Sequence, residues 1–285
     1  MRIMNLSDNE LRQIARELGV PDEVQYKVFM QYYKMVKMVA EKDDLNNILE
    51  IGSGFSTIFW GMLSEERNIN VYTLDLSFTN LFEAVNGTPY KKYINNINLL
   101  EGLSVSANET NDYYDNIYTH DYFGFDWKNI VENSMFIDEI IDRRRSNHLK
   151  KKYHLDAIVD IKTELANNHK FLEYNLDYYS NFGSFKKELD LLSKREVALK
   201  GDVMQKMFDV IFFDSGELAS NVEFMKLFNK VNQGGYVCLH DIYYPKSFKN
   251  WLPCTVYQLR KDYKQVYIDS ETSQGMYIVK HDKKY

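Results

Sequence analysis

Continuous apolar runs alternating with stretches of helical period restrict this chain more than any other feature. From Asn46 the order is strand "NILEI", helix "TIFWGMLSEE" and strand "NVYTLDL". After a long intervening stretch come strand "DVIFFD", helix "ASNVEFMKLFNKV" and strand "GYVCLHDI". Strands that are apolar along their whole length must be covered on both faces, so the pattern predicts an α/β fold with a mostly parallel sheet. The stretch "KQVYIDSETSQGMYIVKH" differs: two strands around a short turn with Ser273 and Gly275 predict an antiparallel C-terminal hairpin. Ahead of the sheet, Ser7 and Glu10 have capping-box spacing and open a helix that Gly19 and Pro21 end. A second helix, "DEVQYKVFMQYYKMVKMVAEK", brings Val24, Val28, Tyr32, Val36 and Val39 toward one face. Residues 1–45 are therefore expected to be a helical cover on a domain spanning 46–285.

The stretch between Thr79 and Met207 is harder to read. "HKFLEYNLD", upstream of the helix-like "SFKKELDLLSKREVAL", is the expected third strand, with "NINLLEGLSVS" as its competitor. Residues from about 104 to 160 are then surplus to a plain alternating fold. Rich in aromatics and charge, they are expected to form a structured, helical insertion, a lid over the ligand edge of the sheet. The composition, with 45% hydrophobic residues, allows a substantial core, and the net charge of −6 argues against a surface built mainly to hold nucleic acid. Cys238 and Cys254, expected in a core strand and a surface loop, lack metal-like spacing. With no secretory h-region and no apolar stretch near the ~18 residues of a membrane span, the expected setting is cytoplasmic, with no membrane partner and with room for a homo-oligomer.

The seam "LEIGSGFST" places Glu50 before Gly52 and Gly54, between a strand and a helix, where backbone can pass close to a ligand and helix N–H groups point at it. A dinucleotide site wants a third glycine, where this chain has Thr57. A carboxylate beside the turn would repel a pyrophosphate but suits a ligand carrying an ammonium group, such as S-adenosylmethionine. Asp75 ends the next strand at about the ~20-residue distance expected for a carboxylate that grips vicinal ribose hydroxyls.

In order and spacing, "LEIGSGFST", "VYTLDLS", "FDVIFFDSGE" and "GGYVCLHD" resemble the class I S-adenosylmethionine-dependent methyltransferases, and among them the small-molecule O-methyltransferases. The resemblance implies a Rossmann-like, seven-stranded sheet ending in an antiparallel hairpin, in agreement with the independent reading of the C-terminus. It implies that Glu50, Gly52 and Gly54 surround the methionine part of the cofactor, with Asp75 on the ribose. Ser53, Ser56 and Thr57 are candidates for hydroxyl contacts or for capping the next helix. A residue after the third strand should lie near the adenine; Asp177 is the candidate and Glu101 the alternative.

Ligands of open α/β sheets lie beyond the carboxyl ends of the strands. Asp214, His240 and Asp241 end the fourth and fifth strands, so they are the candidate catalytic residues, with Asp214 also beside the cofactor. Methyl transfer needs an aligned acceptor and removal of its proton, and His240 is the residue type matched to that transfer, unless it is simply a hydrogen-bonded core histidine. Metal-dependent members of the resembled family place carboxylates at the positions of Asp214 and Asp241, followed by an asparagine. Ile242 stands there instead, so a Mg²⁺ site is implied only in part. Tyr118, His120, Tyr122, Phe123, Phe125 and Trp127 form either the insertion's own core or an acceptor pocket. Arg143, Arg144, Arg145, Lys150, Lys151 and Lys152 form either a solvated face or a phosphate contact. The expected activity is O-methylation of a small hydroxylated metabolite, phosphorylated or nucleotide-linked if the basic run binds it. The alternatives are an RNA methyltransferase using that run, and a non-catalytic partner protein on the same fold.

Overall fold

Seven strands build the sheet: β1 (Asn47–Ile51), β2 (Asn70–Asp75), β3 (Ile97–Glu101), β4 (Phe208–Phe213), β5 (Val231–His240), β6 (Lys264–Asp269) and β7 (Met276–Lys280). The computed structural model describes residues 3–142, 158–167, 193–216, 219–243, 249–260, 262–270, 272 and 274–282. The strands lie in the order β3-β2-β1-β4-β5-β7-β6. β1 to β5 pair in parallel, and β7 runs antiparallel to both neighbours, β5 and β6, as the C-terminal hairpin requires. Strand order reverses between β1 and β4, which opens a crevice at their carboxyl ends.

Successive strand residues point to opposite faces, so each central strand feeds two cores. Ile48, Val71, Val210, Phe212, Cys238 and Ile278 face one core, shared with α1 (Asp8–Glu17), α2 (Glu23–Val39) and α3 (Phe55–Arg67). Leu49, Ile51, Leu74, Ile211, Phe213 and Leu239 face the other. There the cover comes from α6 (Ala107–Asp115), α7 (Trp127–Asn133), α8 (Met135–Ile140), α9 (Ile158–Asn167), α11 (Ala219–Leu227) and α12 (Trp251–Leu259). α4 (Thr79–Val85) and α5 (Lys91–Ile94) add to the first core, and α10 (Asp202–Gln205) packs against the second. The Ser7–Glu10 capping box forms at α1 as its spacing predicts. Along α2, Val28, Tyr32, Val36 and Val39 are buried, whereas Val24, in the first turn, is exposed.

The third strand is the competitor, not the first choice: Ile97–Glu101 pairs with Val71–Asp75, and residues 169–177 lie outside the described residues. β3 is an edge strand with its second and last residues exposed, so it lacks the uninterrupted apolar signature of the central strands. The aromatics that follow it are core. Tyr122 and Trp127 are buried, and Trp127 Nε1 donates to the Leu165 carbonyl at 2.9 Å. The rings of Phe123 and Phe228 lie 3.9 Å apart. Cys254 is likewise not in a loop but buried within α12, whose Pro253 falls in the first turn, where a missing N–H costs nothing.

Candidate active site

The carboxyl ends of β1 to β4 are stitched together by their own backbone. Gly52 N–H donates to Leu74 O at 2.8 Å, Asp214 N–H to Ile51 O at 2.8 Å, and Gly102 N–H to Asp75 O at 2.9 Å. The cleft above them is lined by Gly52, Ser53, Asp75, Gly102, Asp214 and Glu223, among others. Gly52 has φ +93°, and a Cβ there would sit 2.3 Å from the Asp214 carbonyl oxygen, so only glycine lets β1 and β4 approach this closely. Gly54 differs. Its φ of 176° is ordinary extended backbone, and a Cβ would meet nothing within 4 Å, so the fold does not require glycine there.

Glu50 does not line the cleft; it is fully buried beneath the turn. Its Oε2 accepts from Thr57 Oγ1 at 2.8 Å and Thr73 Oγ1 at 2.7 Å, while Oε1 has no hydrogen-bond partner. Burial lifts its carboxyl to about 8, against the hydroxyls of Ser56, Thr73 and Thr57. Thr57, in the place of a third glycine, also accepts the Gly54 N–H at 2.9 Å, so one hydroxyl ties the glutamate to the helix start. Asp75 faces the turn from β2. Its Oδ2 accepts from Ser53 N–H at 2.6 Å and Ser53 Oγ at 2.7 Å, and its Oδ1 takes only a 3.2 Å bond from Ser77 N–H. Glu101 ends β3, exposed and outside the lining; Asp177 lies outside the described residues, as do Arg143 to Arg145 and Lys150 to Lys152.

Asp214 joins this cleft to a second cluster. Asp214 Oδ1 lies 3.0 Å from His240 Nδ1 and 3.0 Å from Lys249 Nζ, while Oδ2 accepts from the Tyr32 hydroxyl at 3.0 Å. Lys249 Nζ also donates to Asp241 Oδ2 at 2.8 Å. Asp241 is held at φ +60°, a left-handed conformation that aspartate tolerates better than most residues. Asn250 fixes the neighbouring backbone, its Nδ2 donating to His240 O at 2.6 Å and Phe213 O at 3.3 Å. Burial opposes the charge on Asp214, yet His240 and Lys249 hold its carboxyl well below the usual range. Burial also disfavours the imidazolium of His240, but Asp214 and Asp241 outweigh it and raise the group. His240 Nε2 has no hydrogen-bond partner.

Asp214, His240 and Asp241 each offer a ligand atom within 4.8 Å of the others, which by residue type is a cation site. It does not fit a divalent ion. An ion about 2.1 Å from Asp214 Oδ1 and Asp241 Oδ2 would compete for the oxygens that hold the Lys249 ammonium, at most about 5 Å from it. At that separation the repulsion is roughly 7 kcal/mol for an effective dielectric constant of about 20. Tyr32, Lys249, Asn250 and Glu223 were not legible as site residues. Tyr32 carries only the signal of a core position on α2, and Lys249 follows a stretch with no periodicity.

No protein-family model and no curated protein matches this sequence. Solved structures do match it over nearly its whole length. An O-methyltransferase from Bacillus cereus in complex with SAH is 12% identical with a TM-score of 0.43, over 97% of this chain and 92% of that one. The SAH-bound methyltransferase PaMTH1 of Podospora anserina is 12% identical with a TM-score of 0.44, over 98% and 89%. The O-methyltransferase TomG of Streptomyces achromogenes, in complex with SAM, is 12% identical with a TM-score of 0.43, over 98% and 92%. Likeness of that size decides nothing by itself, and the strand order does. This is the class I methyltransferase fold. Open α/β sheets form a crevice where the strand order reverses, and here that crevice is the space between the Gly52 turn and Asp75. No helix among the described residues is long and apolar enough to cross a membrane.

Proposed function

We propose that the protein is an S-adenosylmethionine-dependent methyltransferase acting on a hydroxyl group of a small molecule. The observation that carries the reading is the position of Asp75, which ends β2, faces the glycine turn across the cleft and keeps Oδ1 nearly free of donors. A carboxylate so placed accepts paired ribose hydroxyls, with Ser53 yielding part of its hold on Oδ2. The open space at the Gly54 Cβ position suits a ligand with a close-lying amino acid tail. Bound there, the cofactor supplies an electrophilic methyl group whose sulfur is a good leaving group. The chain's own task is then to align the acceptor and take its proton. Asp214 borders both the cleft and the His240 cluster, so it orients the acceptor oxygen. His240 keeps its Nδ1 proton toward Asp214; its Nε2 is buried and unpartnered, so it takes the acceptor's proton only where the bound acceptor opens a path to it. Asp241 holds Lys249 against Asp214 and so keeps that carboxylate in place.

Calorimetric titration with S-adenosylmethionine and its demethylated product tests the reading. Wild type should bind both, and Asp75→Ala should weaken binding by about tenfold or more, since a charged hydrogen bond contributes roughly 1.5–3 kcal/mol. No binding by wild type would instead favour a non-catalytic protein on this fold.

A further inference from the structure

We infer that the Lys249 ammonium is the permanent cation of this site, standing where a divalent metal would otherwise bridge Asp214 and Asp241. Three observations converge. Lys249 is only 4% exposed, and its Nζ lies 3.0 Å from Asp214 Oδ1 and 2.8 Å from Asp241 Oδ2, so one ammonium already joins the two carboxylates. Asp214 Oδ2 is engaged as well, accepting from Tyr32, whereas Asp241 Oδ1 lies 3.4 Å from His240 Nδ1 with no hydrogen-bond partner. Ile242, the residue after Asp241, is buried and apolar and offers no oxygen ligand.

Two carboxylates facing one cavity repel each other unless a positive charge lies between them. A divalent ion meets that need while exchanging with solvent; a lysine on the same chain meets it permanently. Asn250, buried next to Lys249 and bonded to the ends of β4 and β5, fixes the backbone from which the side chain reaches in. Asp241, in its left-handed conformation, turns from the end of β5 toward the same point. Lys249 is therefore a positioning residue that sets the two carboxylates. On the methyl-transfer reading, the acceptor is aligned without a metal. The claim about the cation position stands apart from that reading, because metal binding is measured without cofactor or acceptor.

Manganese titration followed by electron paramagnetic resonance tests it. In wild type the free-ion signal should rise with added Mn²⁺ as it does in buffer. Lys249→Met, of similar length but uncharged, should bind one Mn²⁺ per chain at least about tenfold more tightly than wild type, and adding Asp214→Asn should abolish that binding. Tight binding of one Mn²⁺ by wild type, lost in Asp214→Asn, overturns the inference. So does a folded Lys249→Met that binds none. Should Lys249→Met not fold, the wild-type melting temperature decides: it should be equal in excess chelator and in Mn²⁺, and a rise with the metal overturns the inference.

Discussion

The Tyr32 hydroxyl donates to Asp214 Oδ2 at 3.0 Å across 182 residues of chain, and it lies 3.4 Å from His240 Nδ1. α2 is thus not only a cover on one face of the sheet; it reaches the carboxyl end of β4 and supplies a donor to the site. Removing the hydroxyl with Tyr32→Phe leaves a buried carboxylate oxygen without its partner. The expected cost is about 1–3 kcal/mol by urea unfolding. Affinity for S-adenosylmethionine should be unchanged, because Tyr32 is not among the cleft-lining residues.

The two glycines of the turn should respond differently to the same substitution. Gly52→Ala combines a left-handed φ with a Cβ 2.3 Å from the Asp214 carbonyl oxygen, so β1 and β4 must separate. A loss of roughly 3 kcal/mol or more is expected. Gly54→Ala meets no atom and no strain, and its stability should stay within about 0.5 kcal/mol of wild type. Its cofactor affinity should fall, since the methyl group enters the space proposed for the ligand. Thermal unfolding and calorimetry on the two variants separate fold from binding.

Glu50 makes stability depend on pH in a sense opposite to most carboxylates. Its carboxyl is raised to about 8 in the fold, chiefly by burial. Between the ordinary carboxylate range and that value the native state holds a proton that the unfolded state has lost. Its contribution is therefore full at low pH, declines as pH rises toward about 8, and is flat above. Glu50→Gln is neutral throughout. Its stability relative to wild type should improve by a few kcal/mol between about pH 5 and pH 8, read from denaturant midpoints at each pH. A relative stability that does not change with pH would show that the buried carboxyl ionises normally.

Trp127 tests whether the segment after β3 is part of the core. It is buried, in edge contact with Trp251 at 5.7 Å between ring centroids and bonded to the Leu165 carbonyl. Trp127→Ala should cost about 3–5 kcal/mol. Trp127→Phe, which retains most of the apolar area but not the N–H, should cost less. A loss under about 1 kcal/mol for the alanine variant would mean that this helix contributes little to the fold.

The central strands, the C-terminal hairpin and the ends of β4 and β5 are legible in the sequence because they rest on local regularities. Unbroken apolar runs such as "DVIFFD" must be covered on both faces, and a residue that ends such a run lies at the sheet's carboxyl edge wherever the chain goes next. That logic brings Gly52, Asp75, Asp214, His240 and Asp241 to one edge from spacing alone. β3 is less legible because an edge strand needs no continuous apolar run, and residues 97–101 show it only by pairing with β2. The partners of the acidic residues are decided by the tertiary structure alone. Glu50 is beneath the turn, not in the cleft, because Thr57 and Thr73 converge on it from a helix and a neighbouring strand. Tyr32 and Lys249 reach Asp214 from 182 and 35 residues away, and no periodicity in the chain records that meeting. A lysine between two aspartates is a fact of three-dimensional packing, whereas the aspartates themselves follow from where the strands end.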